Sequence, residues 1–193
     1  MMNSKLNTKK IILASKSPRR QQLLKDIGID FELRLKEIDE SYPMHLKEHE
    51  IALYIAQKKA EAFKSEIKID ELLITADTIV CLGNEVLGKP TDYNDAVNML
   101  KKLSGKMHKV ITGIFLVSLQ QTKCFFVITN VYFKPLSLEE IQFYIDRFKP
   151  YDKAGAYGIQ EWLGYIGVEK IEGSYFNVMG LPVKEVYEAI LNF

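Results

Sequence analysis

The residues best suited to chemistry lie near the start of the chain, where an apolar run ends at Ser15 and is followed by Ser17, Pro18, Arg19 and Arg20. Serine is a favoured helix N-cap and proline a favoured first helical residue, so the pattern predicts a helix that begins at Pro18. The N–H groups and positive dipole end of a helix start favour an anion. Arginines are not favoured there on dipole grounds, so two of them indicate a phosphate-binding turn. The alternative is that both are solvated or pair with nearby acids.

A second candidate for chemistry is Asp77, which follows the apolar run at residues 72–75. That run predicts a buried strand, and we expect Asp77 where the strand leaves the core. A half-buried carboxylate at such a place can hold a divalent cation or accept a proton from water. Thr78 beside it offers a hydroxyl to the edge of a ligand. Carboxylates so placed are also common turn residues, and this alternative stays open.

Two further segments contain residue types that suit a nucleotide. Lys89 lies between Gly88 and Pro90. The backbone is constrained on both sides of it, which favours a lysine held in one place for binding over an ordinary surface lysine. Small residues in the segment 152–160 would let a ligand approach the backbone, and the amide of Gln160 can donate and accept at a base edge. The alternative is a tight packing loop. The sequence has neither the P-loop nor the dinucleotide-binding glycine pattern, and its histidines lack metal-ligand spacing.

The elements that must position these residues alternate between strand and helix. A capping box at Ser137–Glu140 starts one helix, and Gly83-Asn84 predicts a tight hairpin turn. Two long strands joined by residues 120–123 form an antiparallel pair, which favours a mixed α/β sheet covered by helices over an all-parallel sheet. Strands are predicted at residues 10–15, 31–35, 72–80, 110–119, 124–133 and 164–171, and helices at residues 18–27, 48–65, 92–103, 137–148 and 182–191.

Composition and charge limit the classes of function. The 193 residues are 47% hydrophobic and 26% charged with a net charge of +1, so the chain has no global field for nucleic acid or an anionic membrane. The apolar run at residues 11–14 is too short for a signal-peptide core. No run approaches the ~20 apolar residues of a membrane span. Cys81 and Cys124 lie in apolar runs and are predicted to be reduced core thiols. These features predict a cytoplasmic protein.

Taken together, these segments resemble the Maf family of nucleoside triphosphate pyrophosphatases. The resemblance implies an inosine-triphosphatase-like (Maf/Ham1-like) α/β fold, with a mixed twisted sheet, flanking helices and two lobes around a cleft, in a single domain over residues 1–193. The matching motifs are Leu13-Ala14-Ser15-x-Ser17-Pro18-Arg19-Arg20, Ala76-Asp77-Thr78, Leu87-Gly88-Lys89-Pro90, Leu103-Ser104-Gly105 with His108 and Thr112-Gly113, Asp152-Lys153-Ala154-Gly155-Ala156-Tyr157-Gly158-Ile159-Gln160, and Gly180-Leu181-Pro182.

The resemblance also implies a hydrolysis that depends on a divalent cation (Mg²⁺, Mn²⁺ or Co²⁺) and releases pyrophosphate from a nucleoside triphosphate. It implies that Asp77 is the proton acceptor and that Arg19, Thr78 and Gln160 influence the choice of base. A triphosphate needs a local cluster of cations in a neutral protein, and Mg²⁺ needs oxygen ligands from one or two carboxylates. The residues predicted to bind phosphate are Ser15, Arg19, Arg20, Lys59 and Lys89, and those predicted to bind the metal are Asp77 and Glu40.

The motifs look most like the branch of the family that hydrolyses dTTP and UTP, with modified pyrimidine nucleotides as further substrates and removal of non-standard nucleotides as the role. Two segments depart from the family pattern, at Phe148–Pro150 before the base-reading loop and at Glu161–Gly164 after it. The alternatives are a 7-methyl-GTP-type pyrophosphatase and a non-catalytic nucleotide sensor that regulates cell division. The resemblance implies a homodimer, and neither nucleic acid nor a membrane is expected as a partner.

Overall fold

The strands of the computed structural model, which describes residues 9–193, form one mixed sheet. Its seven strands follow the order β2-β1-β3-β5-β6-β7, with β4 beside β3. Strand β1 is parallel to both β2 and β3, whereas β4 is antiparallel to β3 and β7 is antiparallel to β6. The predicted mixed α/β sheet is therefore confirmed. The strands are β1 (Lys10–Leu13), β2 (Phe31–Leu33), β3 (Glu71–Leu82), β4 (Glu85–Leu87), β5 (Met107–Val117), β6 (Thr122–Phe133) and β7 (Val168–Glu172).

Helices α1, α3 and α4, whose bounds are given below, begin at side-chain caps. The side chains of Ser17, Asp92 and Ser137 each accept a hydrogen bond from a backbone N–H in the first turn of the following helix. At Ser137 the reciprocal bond from Glu140 completes the predicted capping box. The helices are α1 (Pro18–Asp26), α2 (His49–Glu61), α3 (Tyr93–Leu103), α4 (Leu138–Phe148), α5 (Trp162–Gly167), α6 (Tyr175–Met179) and α7 (Val183–Leu191), with short 3₁₀ turns at Lys64–Glu66 and Ala154–Ala156.

One predicted strand is wrong over half of its length. The segment 164–171 begins as helix α5, and only its end belongs to β7. Gly164 permits this arrangement, because a Cβ atom on it would lie 1.8 Å from the carbonyl oxygen of Ile159. The helix therefore folds back onto the preceding loop through a contact that hydrophobic periodicity does not reveal. Helix α6 and both 3₁₀ turns were not predicted. The strand predicted at 31–35 is also shorter, since Leu35 lies outside β2 and is exposed.

The chain forms two compact units. The first contains residues 9–77, 112–127 and 180–193, and the second contains Thr78–Ile111 and Ile128–Met179. A core of the first unit packs Ile12 and Leu73 against Phe63, which follows helix α2. The core of the second unit includes Leu100 of α3 and Tyr144 of α4. The two cores hold together the helices and strands on which the candidate residues lie.

The two cysteines differ in their surroundings. Cys81 is buried in β3, as predicted, and the two cysteines do not form a disulfide with each other. The prediction that Cys124 is a core residue is wrong, because it lies on an exposed position of β6, where exposed and less exposed residues alternate. Among residues 9–193, no helix combines the length and the apolar character needed to cross a membrane.

Candidate active site

Two contacts hold helix α2 against the sheet in the first unit. Gly113 of β5 lies against the backbone of Ala52, and a Cβ atom at Gly113 would come within 2.6 Å of it. The buried hydroxyl of Thr75 donates to the carbonyl oxygen of Ala56 at 2.7 Å. Side chains two residues apart on a strand point to the same face, so Thr75 and Asp77 both face this helix. The two contacts thus fix the position of α2 on β3 and β5.

Lys59 of α2 joins two carboxylates. Its Nζ atom lies 2.7 Å from Oδ1 of Asp77 and 2.7 Å from Oε1 of Glu40, which follows β2 in an irregular segment. The expectation that the strand leaves the core at Asp77 is wrong, since β3 continues to Leu82 and its residues just after Asp77 are largely buried. The hairpin of β3 and β4 extends the strand beyond the carboxylate, and Asp77 is buried within it. The lysine and both predicted metal ligands are therefore in one cluster.

Burial changes the acidity of Asp77. Removal from water raises the pKa of this carboxyl, and the attraction of Lys59 and then of Arg20 opposes the rise without cancelling it. A carboxylate with a raised pKa is a stronger base toward water than an exposed one. The cluster therefore places a proton acceptor beside a cation, which is an arrangement suited to hydrolysis.

Arg20 connects three segments of the first unit. Its Nε atom donates to the carbonyl oxygen of Gly180 at 2.7 Å, and Nη1 donates to that of Ala76, next to Asp77, at 2.9 Å. Nη1 also lies 3.4 Å from Oγ of Ser15, and burial lowers the pKa of the guanidinium. The contact with Ala76 makes Arg20 a residue that orients the strand beside Asp77, and the contact with Gly180 ties that strand to the segment before α7. Sequence patterns alone did not indicate the contribution of Gly180.

The predicted anion-binding turn has the expected local structure. Ser17 caps helix α1 by accepting from the backbone N–H of Arg20, and Pro18 occupies the first helical position. The buried hydroxyl of Ser15 accepts from the N–H of Ser17 at 3.2 Å. Arg19 is half-buried in the first turn of this helix. The turn therefore combines helix N–H groups with one guanidinium that still reaches solvent.

Lys89 and the loop before Gln160 belong to the second unit, as does the half-buried Thr78. The carbonyl oxygen of Gly88 accepts from the N–H of Gly155 at 3.0 Å, which ties the exposed Lys89 turn to the 3₁₀ turn at Ala154–Ala156. Gly155 has a φ of 70° and packs against Val80, 3.1 Å from a Cβ atom built on it. Position 155 therefore requires glycine for both its conformation and its close packing.

Gln160 ends this loop in a half-buried position. Its carbonyl oxygen accepts from the hydroxyl of Tyr165 at 2.6 Å. The side-chain Oε1 atom is buried, and no donor among residues 9–193 lies within hydrogen-bond distance of it. A buried acceptor without a partner costs free energy, about 1–3 kcal/mol, that a ligand donor would recover.

His108 is packed in the interior of the second unit. His108 is buried with its Nε2 atom 2.8 Å from the hydroxyl of Tyr157, and its ring packs edge-on against Phe133. Burial lowers the pKa of His108 to about 4, so the ring is neutral at physiological pH. Among residues 9–193, no three His, Cys, Asp or Glu side chains converge in a group that could hold a metal ion by themselves.

The pair of Asp77 and Glu40 nevertheless fits a divalent cation that also binds substrate. Mg²⁺ keeps several waters and is commonly held by one or two carboxylates together with phosphate oxygens. Both carboxylates contact the same ammonium group at 2.7 Å, which shows that their oxygens can converge on one positive charge. The donor set therefore suits a hard cation.

Comparison with known proteins identifies the family. The model of the Maf-like proteins matches residues 10–193. The chain belongs to the Maf family. Proteins named dTTP/UTP pyrophosphatase are similar to this Maf protein over nearly its whole length. The one from Bacteroides fragilis is 50% identical over 98% of both chains. That from Flavobacterium psychrophilum is 52% identical over 100% of this chain and 98% of its own, and that from Parabacteroides distasonis is 52% identical over 100% of both.

Solved structures of other proteins are more distantly similar to this Maf protein. A nucleoside-triphosphatase, described as a dITP/XTP pyrophosphatase, from Mycobacterium abscessus is 15% identical and covers 93% of this chain and 92% of its own, with a TM-score of 0.45. The Ham1 protein of Staphylococcus aureus is 16% identical and covers 65% of this chain and 72% of its own, with a TM-score of 0.44.

Proposed function

We propose that this Maf protein hydrolyses dTTP and UTP to the monophosphate and pyrophosphate, and that it acts on modified pyrimidine triphosphates as well. Relatives at about half identity over nearly the full chain are named dTTP/UTP pyrophosphatase. The observation in the structure that carries the proposal is the contact of one lysine with two carboxylates, one of them buried inside strand β3. Removal of non-standard nucleotides is the role that this chemistry suits.

Asp77 is the residue to which we assign the transfer of the proton from water. Its carboxylate accepts a proton from water, and the water oxygen forms a bond to the α-phosphorus. The bond from that phosphorus to the oxygen bridging the α- and β-phosphates breaks, and pyrophosphate leaves with the bridging oxygen. Lys59 holds the carboxylate in place at 2.7 Å and supplies positive charge beside it. Positioning and charge neutralisation contribute most of the rate enhancement in such reactions.

The cations that we assign to the phosphates are Arg19 and Lys89, with Lys59 and the turn at Ser15 as further contacts. An arginine contacts a phosphate through two parallel hydrogen bonds, whereas a lysine acts as a point charge. Arg20 belongs to the same predicted set, and its bonds to two carbonyl oxygens indicate that it also orients the strand beside Asp77.

A divalent cation is part of the proposal, with Asp77 and Glu40 as the residues that would hold it. When bound, Mg²⁺, Mn²⁺ or Co²⁺ neutralises phosphate charge and increases the acidity of water. Lys59 orients both carboxylates by contacting one oxygen of each. Pyrophosphate release with each metal in turn measures the preference among the three.

Base recognition is assigned to Gln160, with Arg19 and Thr78 as the other residues that affect it. The buried Oε1 atom lacks a donor among the described residues, and the N3–H group of uracil or thymine is a donor of the required kind. Cytosine presents an acceptor at N3, so its recognition would leave two acceptors facing each other. The unmet hydrogen bonds would cost about 1–3 kcal/mol each.

The proposal is tested by the release of pyrophosphate from dTTP, UTP, CTP, GTP and 7-methyl-GTP, with Mg²⁺, Mn²⁺ or Co²⁺ and with a chelator as control. We expect dTTP and UTP to be hydrolysed well ahead of the others, and only with metal. A preference for 7-methyl-GTP would favour the other pyrophosphatase branch instead. Binding of nucleotide without release of pyrophosphate under any condition would favour the nucleotide sensor and overturn the proposal.

The domain organisation, oligomeric state, location and partners of the protein are further parts of the proposal. We propose that residues 1–193 act as a single domain, that the protein forms a homodimer in the cytoplasm, and that neither nucleic acid nor a membrane is a partner. The net charge of +1 supports the last point. Sedimentation equilibrium of the purified protein distinguishes monomer from dimer.

A further inference from the structure

A chain of hydrogen bonds holds the loop before Gln160, and none of the sequence motifs accounts for it. Tyr144 of helix α4 is fully buried, and its hydroxyl accepts from the backbone N–H of Gly158 at 2.9 Å. The same hydroxyl donates to Oε2 of Glu161. The other oxygen of that carboxylate lies 3.1 Å from Nζ of Lys153, whose side chain is 9% exposed. One tyrosine thus fixes both ends of the segment 158–161.

Gln160 lies inside this fixed segment. Gly158 precedes it by two residues, and Glu161 follows it directly at the start of helix α5. The side chain of Glu161 does not cap that helix, because it is directed to Tyr144 and Lys153 instead. Gly158 is packed against the same groups, since a Cβ atom on it would lie 2.8 Å from the carboxyl carbon of Glu161. The backbone on either side of the glutamine is therefore tied to helix α4.

This anchoring affects ligand binding by Gln160, because Gln160 would contact the base through a single side-chain amide. A side chain held before binding loses less conformational freedom when the ligand arrives, and misplacement by about 1 Å removes much of the benefit. Burial raises the pKa of Tyr144, and the carboxylate of Glu161 adds to the rise, so the hydroxyl keeps its proton as a donor. The hydroxyl is therefore the donor in its bond to Glu161.

We propose that Tyr144 and Glu161 are positioning residues for base recognition, which hold the amide of Gln160 where it meets the N3–H group of uracil or thymine. This inference rests on the proposed function of Gln160. Glu161 belongs to the segment in which the chain departs from the usual family pattern. In this chain, the contact of Glu161 with Tyr144 of helix α4 therefore helps to hold the loop.

The test compares two tyrosine variants that lose the same atom. Tyr144→Phe removes the hydroxyl that links Gly158 and Glu161. The control Tyr132→Phe removes a hydroxyl that donates to the carboxylate of Glu172 at 2.7 Å, on an exposed part of the sheet. We measure kcat and KM for UTP, dTTP and CTP in both variants. In Tyr144→Phe, the ratio of kcat/KM for UTP to that for CTP should fall roughly tenfold, mainly through KM, which is the size expected for one hydrogen bond. The control should keep the wild-type ratio.

Two results would overturn the inference. One is an unchanged ratio in Tyr144→Phe, and the other is an equal loss of kcat/KM on all three substrates, which a merely structural role would produce. If the wild-type enzyme hydrolyses UTP and dTTP in the same experiment, either result leaves the proposed function intact. If it hydrolyses neither, the proposed function itself has failed.

A second pair of variants keeps the test decisive if Tyr144→Phe does not fold. Glu161→Gln retains an oxygen that accepts from Tyr144, whereas Glu161→Ala does not. Lys153 keeps its contact with Asp152 at 2.7 Å in both. Glu161→Ala should reduce the UTP-to-CTP ratio and Glu161→Gln should restore most of it. Equal ratios in the two variants would contradict the positioning role.

Discussion

Replacing Asp77 with asparagine tests the proposed chemistry most specifically. Asparagine has nearly the same shape and keeps an oxygen that can accept from Lys59, which lies 2.7 Å from the wild-type carboxylate. It cannot take a proton from water. Loss of a general base typically costs about 100-fold or more in turnover, which corresponds to roughly 2.7 kcal/mol of transition-state stabilisation. We therefore expect kcat for dTTP to fall at least ~100-fold while nucleotide binding persists.

The folded protein should be no less stable with asparagine at position 77, and the pKa of Asp77 gives the reason. Burial raises the pKa of Asp77 in the folded protein above its unfolded value. The carboxyl's contribution to stability is then largest below the unfolded pKa and decreases as pH rises through the folded pKa. At mildly alkaline pH, asparagine removes the cost of an ionised buried group, so the unfolding temperature should not fall.

The assay combines three measurements on the same preparations. Pyrophosphate release gives kcat, titration calorimetry gives nucleotide affinity, and thermal unfolding gives stability. The matched control is Asp39→Asn, which makes the same chemical change beside Glu40 at a carboxylate that contacts Lys58 instead. We expect the control to retain activity. Turnover near the wild-type level in Asp77→Asn would refute the assignment of Asp77 as base or metal ligand.

Arg19→Ala and Lys89→Ala should each remove about 2–4 kcal/mol of transition-state stabilisation, measured as a lower kcat/KM. If the two side chains were solvated and did not bind phosphate, each loss would be below about 1 kcal/mol. Gln160→Ala should flatten the preference for UTP over CTP more than it lowers the best rate; a retained preference would count against its role. Arg34 holds the pKa of the buried Glu71 down at about 2. Arg34→Ala should therefore lower the free energy of unfolding in urea by about 1.5–3 kcal/mol at neutral pH. The deficit should shrink as acid protonates Glu71, and a deficit independent of pH would refute this.

Local signals explain how much of the fold the sequence predicts. The capping box at Ser137, the hairpin glycine Gly83 and the N-cap Ser17 act within a few residues, and all three predictions are confirmed. Helix α5 was taken for strand because its stability depends on the fit of Gly164 against Ile159. That fit depends on tertiary packing, and the periodicity of the segment does not encode it.

The candidate site shows the same limit. Asp77 and Glu40 were predicted as metal ligands and Lys59 as a phosphate contact, but the contact of Lys59 with Asp77 depends on the packing of α2 on β3, and that with Glu40 on the irregular segment after β2. Nothing in the local sequence indicates that the carbonyl of Gly180 contacts Arg20. Tyr144 gave no signal either, because a tyrosine on the apolar face of a helix is typical of a core residue.

The central claim is that water attacks the α-phosphorus of a pyrimidine triphosphate. Hydrolysis of dTTP in water labelled with heavy oxygen, followed by mass spectrometry of the products, tests it directly. We expect the label in thymidine monophosphate and unlabelled pyrophosphate as the other product. Label in pyrophosphate, or orthophosphate and thymidine diphosphate as the products, would contradict the mechanism.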